Sequence, residues 1–364
     1  MNVLVIGGGI IGLSIARLLA RKGETCTLLD MGTPGQESSA AAGGMVAPQM
    51  EAHEAGPLLQ LGLASRQLWP EFAAQLEEES RIPVELRRFG ALRVALQPSQ
   101  AEELQHTAQW QKALGLRVEL LSTDEARKLE PNLSASVLTA LHLPEDIQVE
   151  PSAVMRALLA AALHAGVHIQ RKRVQGIVER QGRVVGALVE GQCVEADQVV
   201  VATGAWTSSL SGLPLPAHVV YPCRGQMVDV DCTTPPFRHF IMATGAYAIP
   251  RADGRVTLGS TMENVGFDKS NTPFGLAHVL GMAQSYCPKL GAAAFLRCWA
   301  GLRPATADGL PVICRTPQGL VLALGHFRNG IAAAPLTAQL ATELVYGKTP
   351  SLDIRPFDGI RFQT

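Results

Sequence analysis

The stretch Asn2-Val-Leu-Val-Ile-Gly7-Gly8-Gly9-Ile10-Ile11-Gly12 decides the fold. Residues 2–6 are a short, largely apolar run bounded by glycine, the pattern of a strand buried in a parallel sheet. From Ile10, the residues Leu13, Ala16, Arg17 and Ala20 recur at helical spacing as far as Lys22, and Gly23 stops the helix. Thr25 to Leu29 reads as a second buried strand ending at Asp30. Strand, helix and strand within 30 residues make a βαβ unit, whose crossover is expected to be right-handed. Glycines 7, 9 and 12 satisfy G-x-G-x-x-G. The first permits the tight turn, the second lets a pyrophosphate approach the backbone, and the third lets helix and strand pack closely. The helix N-terminus, with Ile10 and Ile11, then offers free N–H groups and a positive dipole end to phosphates. Asp30 stands where a carboxylate accepts hydrogen bonds from a ribose diol. The motif in this context predicts dinucleotide binding, but it does not separate FAD from NAD.

The rest of the composition narrows the class. The chain has 364 residues, of which 47% are hydrophobic and only 17% charged, with a net charge of -1. Two domains are the prior for this length. So weak a field argues against a dedicated nucleic-acid or membrane-surface protein. No run of 18 purely apolar residues predicts a membrane span. The N-terminus has no basic region ahead of its apolar run, so no signal peptide is expected. Seven scattered cysteines without a C-x-x-C predict reduced thiols and a cytoplasmic location. His164 and His168 have i,i+4 spacing, but Gly166 and Val167 end the helix between them, so no metal site is expected.

Along the chain, residues 58–79 and 99–114 read as helices, the first kinked at Pro70. Ser122 with Glu125 forms a capping box for a short helix before Pro131. Pro151 opens a helix to about Ala165, and strands are expected over 167–170, 174–180 and 184–190. Residues 198–203 form another buried strand, 218–262 alternate as antiparallel strands do, and 320–346 return to strand, glycine turn and helix. The expected architecture is α/β. A Rossmann-like nucleotide domain comes from residues 1–85, 147–217 and 303–364, interrupted by an antiparallel-sheet α+β substrate domain from 86–146 and 218–302.

A second glycine-rich stretch, Ser38-Ser39-Ala40-Ala41-Ala42-Gly43-Gly44-Met45, suits a long cofactor reaching beyond its pyrophosphate; a plain surface loop is the competing reading. This stretch, the opening motif and Val201-Ala202-Thr203-Gly204-Ala205-Trp206 resemble the D-amino-acid oxidase superfamily of flavoproteins. So do Trp299-Ala300-Gly301-Leu302-Arg303-Pro304-Ala305-Thr306-Ala307-Asp308-Gly309 and Gly325-His326-Phe327-Arg328-Asn329-Gly330-Ile331. Order and spacing are most similar to the glycine oxidases of thiamine biosynthesis, over essentially the whole chain. The resemblance implies FAD as cofactor and the fold of that superfamily's FAD-binding domain. It implies cofactor contacts from Gly7, Gly9, Ile10, Ile11, Gly12, Asp30, Ser38, Ser39, Ala42, Gly43, Gly44, Met45, Val174, Gly204, Trp206, His326, Arg328, Asn329, Gly330 and Ile331.

Arg303 ends an apolar strand, and Pro304 fixes the turn after it. A guanidinium there can fork two hydrogen bonds onto a carboxylate; a structural salt bridge, for instance to Asp308, is the competing reading. The resemblance implies that Arg303 binds the substrate carboxylate, with Tyr247 beside it and Arg328 near the substrate. Met262 is expected to wall the pocket, and core positions remain the plain alternative for both Tyr247 and Met262. Sarcosine oxidases of the same superfamily attach flavin to a cysteine shortly before this Thr-x-Asp motif. That position falls near Gly301 here rather than at Cys298, which implies non-covalent FAD, with Cys298 and Cys314 as small buried residues.

The implied reaction is oxidative deamination of glycine, and of sarcosine or small D-amino acids, with O2 as acceptor. No side chain need act as acid or base, because protein groups orient the substrate while the cofactor does the chemistry. A D-amino-acid dehydrogenase passing electrons to a quinone shares these motifs and is the nearer alternative; a non-catalytic nucleotide-binding protein is the distant one. The low charge permits an oligomer, and the resembling enzymes are often tetrameric.

Overall fold

The structure is a computed structural model and describes every residue except Thr244, Gln363 and Thr364. Its first large sheet has six strands in the order Val312–Arg315, Val321–Leu324, Gln198–Val201, Asn2–Ile6, Thr25–Asp30 and His168–Arg171. Every pairing is parallel except the edge pair at Val312–Arg315. Asn2–Ile6 lies inside this sheet and is covered on both sides. Val3 and Val5 enter one core, Leu4 and Ile6 the other. Two buried faces explain why the run is apolar without alternation.

The first core is closed by the helices Ile10–Arg21, Pro57–Ser80, Pro151–His164 and Gly330–Val345. The second is closed by a three-stranded antiparallel sheet of Val174–Arg180, Arg183–Val189 and Gln192–Glu195. The helix ends follow local chemistry. Pro57, Pro98 and Pro151 each sit in a first turn, where their missing N–H is not needed. At Ser122, the hydroxyl accepts from Glu125 N and the Glu125 carboxylate accepts from Ser122 N at 2.8 Å, closing the expected capping box. His164 is the last residue of its helix and bonds Glu79 O through Nδ1, while His168 starts a strand. Among the described residues, no cluster of His, Cys, Asp and Glu could hold a metal, and no helix is long and apolar enough to cross a membrane.

The second large sheet has eight strands in the order Ala294–Thr306, Val220–Asp231, Arg255–Gly259, Ala246–Pro250, Phe240–Ala243, Ala91–Ala95, Thr139–Leu143 and Glu119–Ser122. Only Phe240–Ala243 with Ala91–Ala95 pairs in parallel. The alternation over 218–262 anticipates the middle of this sheet but not Ala91–Ala95 or Thr139–Leu143. Both are five-residue strands packed on two sides, so they lack the period-two signal of a half-buried strand. The helix Pro273–Tyr286 is also unforeseen. Gly275 and Gly281 weaken its intrinsic propensity, and it is held instead by packing of Val279, Ala283 and Tyr286 on the sheet.

The strand Ala294–Thr306 runs without a break through the expected division at 302/303. It pairs with Val220–Asp231 from Val220↔Thr306 to Asp231↔Ala294. This long ribbon brings Arg303 beside the turn that follows Val321–Leu324 of the first sheet, where Phe327 N donates to Pro304 O at 2.9 Å.

Candidate active site

The dinucleotide turn is built by close contact. Gly7 has φ +104°, and a Cβ there would lie 2.3 Å from Ala202 O. A Cβ on Gly12 would lie 1.9 Å from Gly7 O. Gly12 therefore sets the helix against the turn and does not itself line the cavity, in contrast to its expected direct contact. Gly9 caps the helix without a side-chain bond, and Ile10 N donates to Ser39 Oγ at 3.0 Å. Asp30 is more occupied than a free ribose acceptor. Its Oδ2 accepts from Gly8 N at 2.6 Å and its Oδ1 from Gly32 N at 2.7 Å, so it braces the turn while each oxygen keeps a further lone pair.

One elongated cavity, about 1720 Å³ including its open mouth, connects this turn to Arg303. Its walls include Gly7, Gly9, Ile10, Ile11, Asp30, Ser38, Ser39, Ala42, Gly43, Gly44, Met45, Val174, Gly204 and Trp206. The turn from His326 to Ile331 and the side chains of Tyr247 and Arg303 complete it. Met262 is not among the lining residues: it is 65% exposed, although its neighbour Thr261 offers a carbonyl to Arg303. No cysteine lines the cavity among the described residues. Cys298 packs against the second sheet's core and Cys314 is buried beneath the first sheet, and all seven cysteines are free.

Arg303 is held but, among the described residues, has no carboxylate partner. Its guanidinium donates to Thr261 O at 3.2 Å and Ser260 Oγ at 2.5 Å, both uncharged acceptors. Asp308, the competing partner considered from sequence, instead pairs with Arg361 at 2.6 Å. Tyr247 is 7% exposed, and its O–H donates to the Met227 sulfur at 3.2 Å, a weak acceptor. Gly43, Gly225 and Gly259 leave the space these side chains occupy; a Cβ on Gly43 would come within 3.0 Å of the Tyr247 ring. Buried Arg251 fixes the Gly43 loop, donating to Gly43 O at 2.6 Å and Val149 O at 2.9 Å.

The turn after Leu324 is equally constrained. Phe327 has φ +46°, a left-handed conformation rare for a bulky residue, and its N–H donates to Pro304 O at 2.9 Å. That bond ties the residue after Arg303 to the residue before Arg328. Arg328 pairs with Glu51 at 2.9 Å, and the carboxylate holds the arginine's charge more firmly than usual. His326 is buried with Nε2 3.1 Å from Thr337 Oγ1, and burial pushes its pKa down to about 4, so it lines the cavity as a neutral ring.

Several lining residues were not foreseen. Lys172 and Arg173 border the Asp30 end, and the basic triplet Arg171-Lys172-Arg173 ahead of Val174 was their available signal. Glu51, Gly225, Met227 and Gly301 border the Arg303 end. They come from the paired strands Val220–Asp231 and Ala294–Thr306 and from a one-turn helix, segments far apart in the sequence.

A glycine turn at a helix N-terminus, continued by a long cavity to an arginine that bonds only uncharged acceptors among the described residues, fits the class of dinucleotide-dependent enzymes. The tight glycine turn and the helix start, whose N-cap Gly9 supplies no side-chain acceptor, both fit the pyrophosphate of FAD. The family described as FAD dependent oxidoreductase (DAO) matches residues 2–344, and the chain belongs to it. The chain is 33% identical to a glycine oxidase of Geobacillus kaustophilus, over 98% of its own length and 96% of that protein's. A crystal structure of glycine oxidase from Geobacillus kaustophilus superposes with a TM-score of 0.94 at 33% identity, covering 98% of this chain and 97% of that one. It is also 35% identical to a protein of Synechocystis named bifunctional protein ThiO/ThiG, matching 100% of this chain and 54% of that longer protein.

Proposed function

We propose that this chain is an FAD-dependent glycine oxidase, with sarcosine and small D-amino acids as further substrates. The products are glyoxylate or the corresponding keto acid, ammonia and hydrogen peroxide. The observation that carries this reading is Arg303, a cavity-facing guanidinium whose hydrogen bonds run to uncharged Ser260 and Thr261. An α-carboxylate supplies the missing anion and receives two parallel hydrogen bonds.

Tyr247 completes the carboxylate site by turning its O–H from the weak Met227 sulfur to a substrate oxygen. Gly225 and Gly301 form a low floor beside Arg303 and Met227, which suits a substrate with little or no side chain. Bound FAD would supply the two-electron oxidising chemistry, with O2 as the final acceptor. Gly7, Gly9, Ile10 and Ile11 would hold its pyrophosphate, and the turn from His326 to Ile331 would border it further along the cavity. Neutral His326 adds no charge there. With the carboxylate fixed by Arg303 and Tyr247, positioning of the α-carbon is the contribution of this chain's residues, and no general base is required of them.

Among the described residues no cysteine lines the cavity, which supports non-covalent FAD. The likeness to the bifunctional ThiO/ThiG protein supports a role in supplying thiazole synthesis for thiamine. Seven free cysteines suit a cytoplasmic enzyme.

The test is an absorbance spectrum of the purified protein under anaerobic conditions, before and after glycine and again after air. Bleaching by glycine, recovery in air and formation of peroxide are expected. Bleaching without recovery in air would make it a dehydrogenase. A flavin untouched by glycine, sarcosine and D-alanine would overturn the substrate reading.

A further inference from the structure

Two arginines reach the carboxylate end of the cavity, and they differ in one respect. Arg303 hydrogen-bonds only to neutral oxygens among its described partners, whereas Arg328 donates to Glu51 Oε1 at 2.9 Å. The pair of arginines is fastened through the backbone. Phe327, which precedes Arg328, donates to Pro304, which follows Arg303, at 2.9 Å. Arg303, Arg328 and Glu51 all line the same cavity. Arg328 also feels the Tyr247 phenol and Cys223, the cross-strand partner of Arg303, in its electrostatic surroundings. Arg303, Arg328 and Glu51 together carry one net positive charge, the complement of a single carboxylate.

Glu51 is held deliberately in that position. It ends the one-turn helix Pro48–Glu51, whose Met50 N–H donates to buried Asp146 Oδ2 at 2.9 Å. Arg66 bridges Asp146 Oδ1 and Gln49 Oε1, each at 2.8 Å, and Gln49 Nε2 donates to Gln111 Oε1 at 3.0 Å. Such a buried, connected polar network has few alternative arrangements, so it fixes where the Glu51 carboxylate stands.

We propose that Glu51 is a specificity-determining residue: by occupying Arg328, it restricts this site to amino acids with one anionic group. A substrate bearing a second carboxylate would meet an arginine already paired and a carboxylate of like charge. Replacing Glu51 by Gln keeps the shape, removes that repulsion and leaves Arg328 free to bind the second anion. This inference rests on the carboxylate-binding role given to Arg303 above.

The experiment uses FAD-loaded wild type, Glu51→Gln and the double variant Glu51→Gln/Arg328→Met, each first checked for retained flavin and secondary structure. Malonate and acetate, which carry two and one carboxylates, are titrated by calorimetry. The affinity for malonate relative to acetate is expected to rise at least tenfold in Glu51→Gln and to return to the wild-type ratio in the double variant. The kcat/KM ratio of iminodiacetate over sarcosine is expected to rise in the same variant. An unchanged malonate-to-acetate ratio in Glu51→Gln, or a rise that survives removal of Arg328, overturns the proposal. The titration needs no turnover, so a wild type that oxidised no amine would refute the oxidase reading while the binding ratios still judged Glu51.

Discussion

The Cα of Gly225 lies directly against the guanidinium of Arg303: a Cβ at 225 would stand 2.2 Å from Nη2 and 2.3 Å from Nη1. Gly225 belongs to Val220–Asp231, and its cross-strand partner is Gly301, two residues before Arg303. The arginine folds back across its own ribbon into space that only glycine leaves. Gly225→Ala should therefore displace a flexible side-chain end while the strand pairing survives. KM for glycine should rise about 10-fold to 100-fold, the worth of one charge-assisted hydrogen bond at about 1.5–3 kcal/mol. Unchanged KM with a folded, yellow protein would refute this account of the floor.

Removing the guanidinium should be more severe. Arg303→Ala loses both bonds of the fork, about 3–6 kcal/mol, so kcat/KM for glycine should fall about 10²-fold to 10⁴-fold. Arg303→Lys keeps the charge but not the planar fork and should fall between the two. Steady-state kinetics with peroxide detection separates the three proteins.

The pH dependence of turnover should follow the substrate more than the protein. An amine gives up hydride only as the free base, so kcat/KM is expected to climb between about pH 6 and 10. His326, at a pKa of about 4, is neutral throughout that range and should add no inflection near neutrality. A flat profile would count against the free-base requirement.

His326 should instead appear in acid stability. Its folded pKa of about 4 lies below its ordinary 6.5, so the unfolded chain binds the proton first as pH falls. The stability from burying the neutral ring is fully present above pH 6.5 and is lost as pH drops toward 4. The loss amounts to about 2 kcal/mol by pH 5. Urea unfolding at pH 7.5 and 5 should show a smaller drop for His326→Gln than for the wild type.

Flavin should leave the denatured protein completely. With no cysteine in the described lining, acid precipitation is expected to put all the yellow colour in the supernatant and none in the pellet. Colour retained by the washed pellet would reveal a covalent link through another residue.

The nucleotide half of the molecule could be read from local sequence. Residues 2–30 contain their own strand, turn, helix and strand, and the demand for glycine at 7 and 12 arises from backbone atoms within that unit and the strand beside it. The capping box at Ser122 and the prolines that open helices are equally local. Arg303 and Tyr247 could be named because motif resemblance marked them, and both do border the cavity.

What the tertiary structure decided is which charges are spent. Asp308 is 5 residues from Arg303 in sequence, yet it pairs with Arg361; Glu51 is 277 residues from Arg328, yet it neutralises it. Met262 follows a site-forming turn and still points to solvent. Short strands such as Ala91–Ala95 and the glycine-bearing helix Pro273–Tyr286 formed because a sheet was there to bury them. Periodicity and turn chemistry act between near neighbours and so are written along the chain. Ion pairing and close approach act through space, and they are settled only when distant segments meet in one cavity.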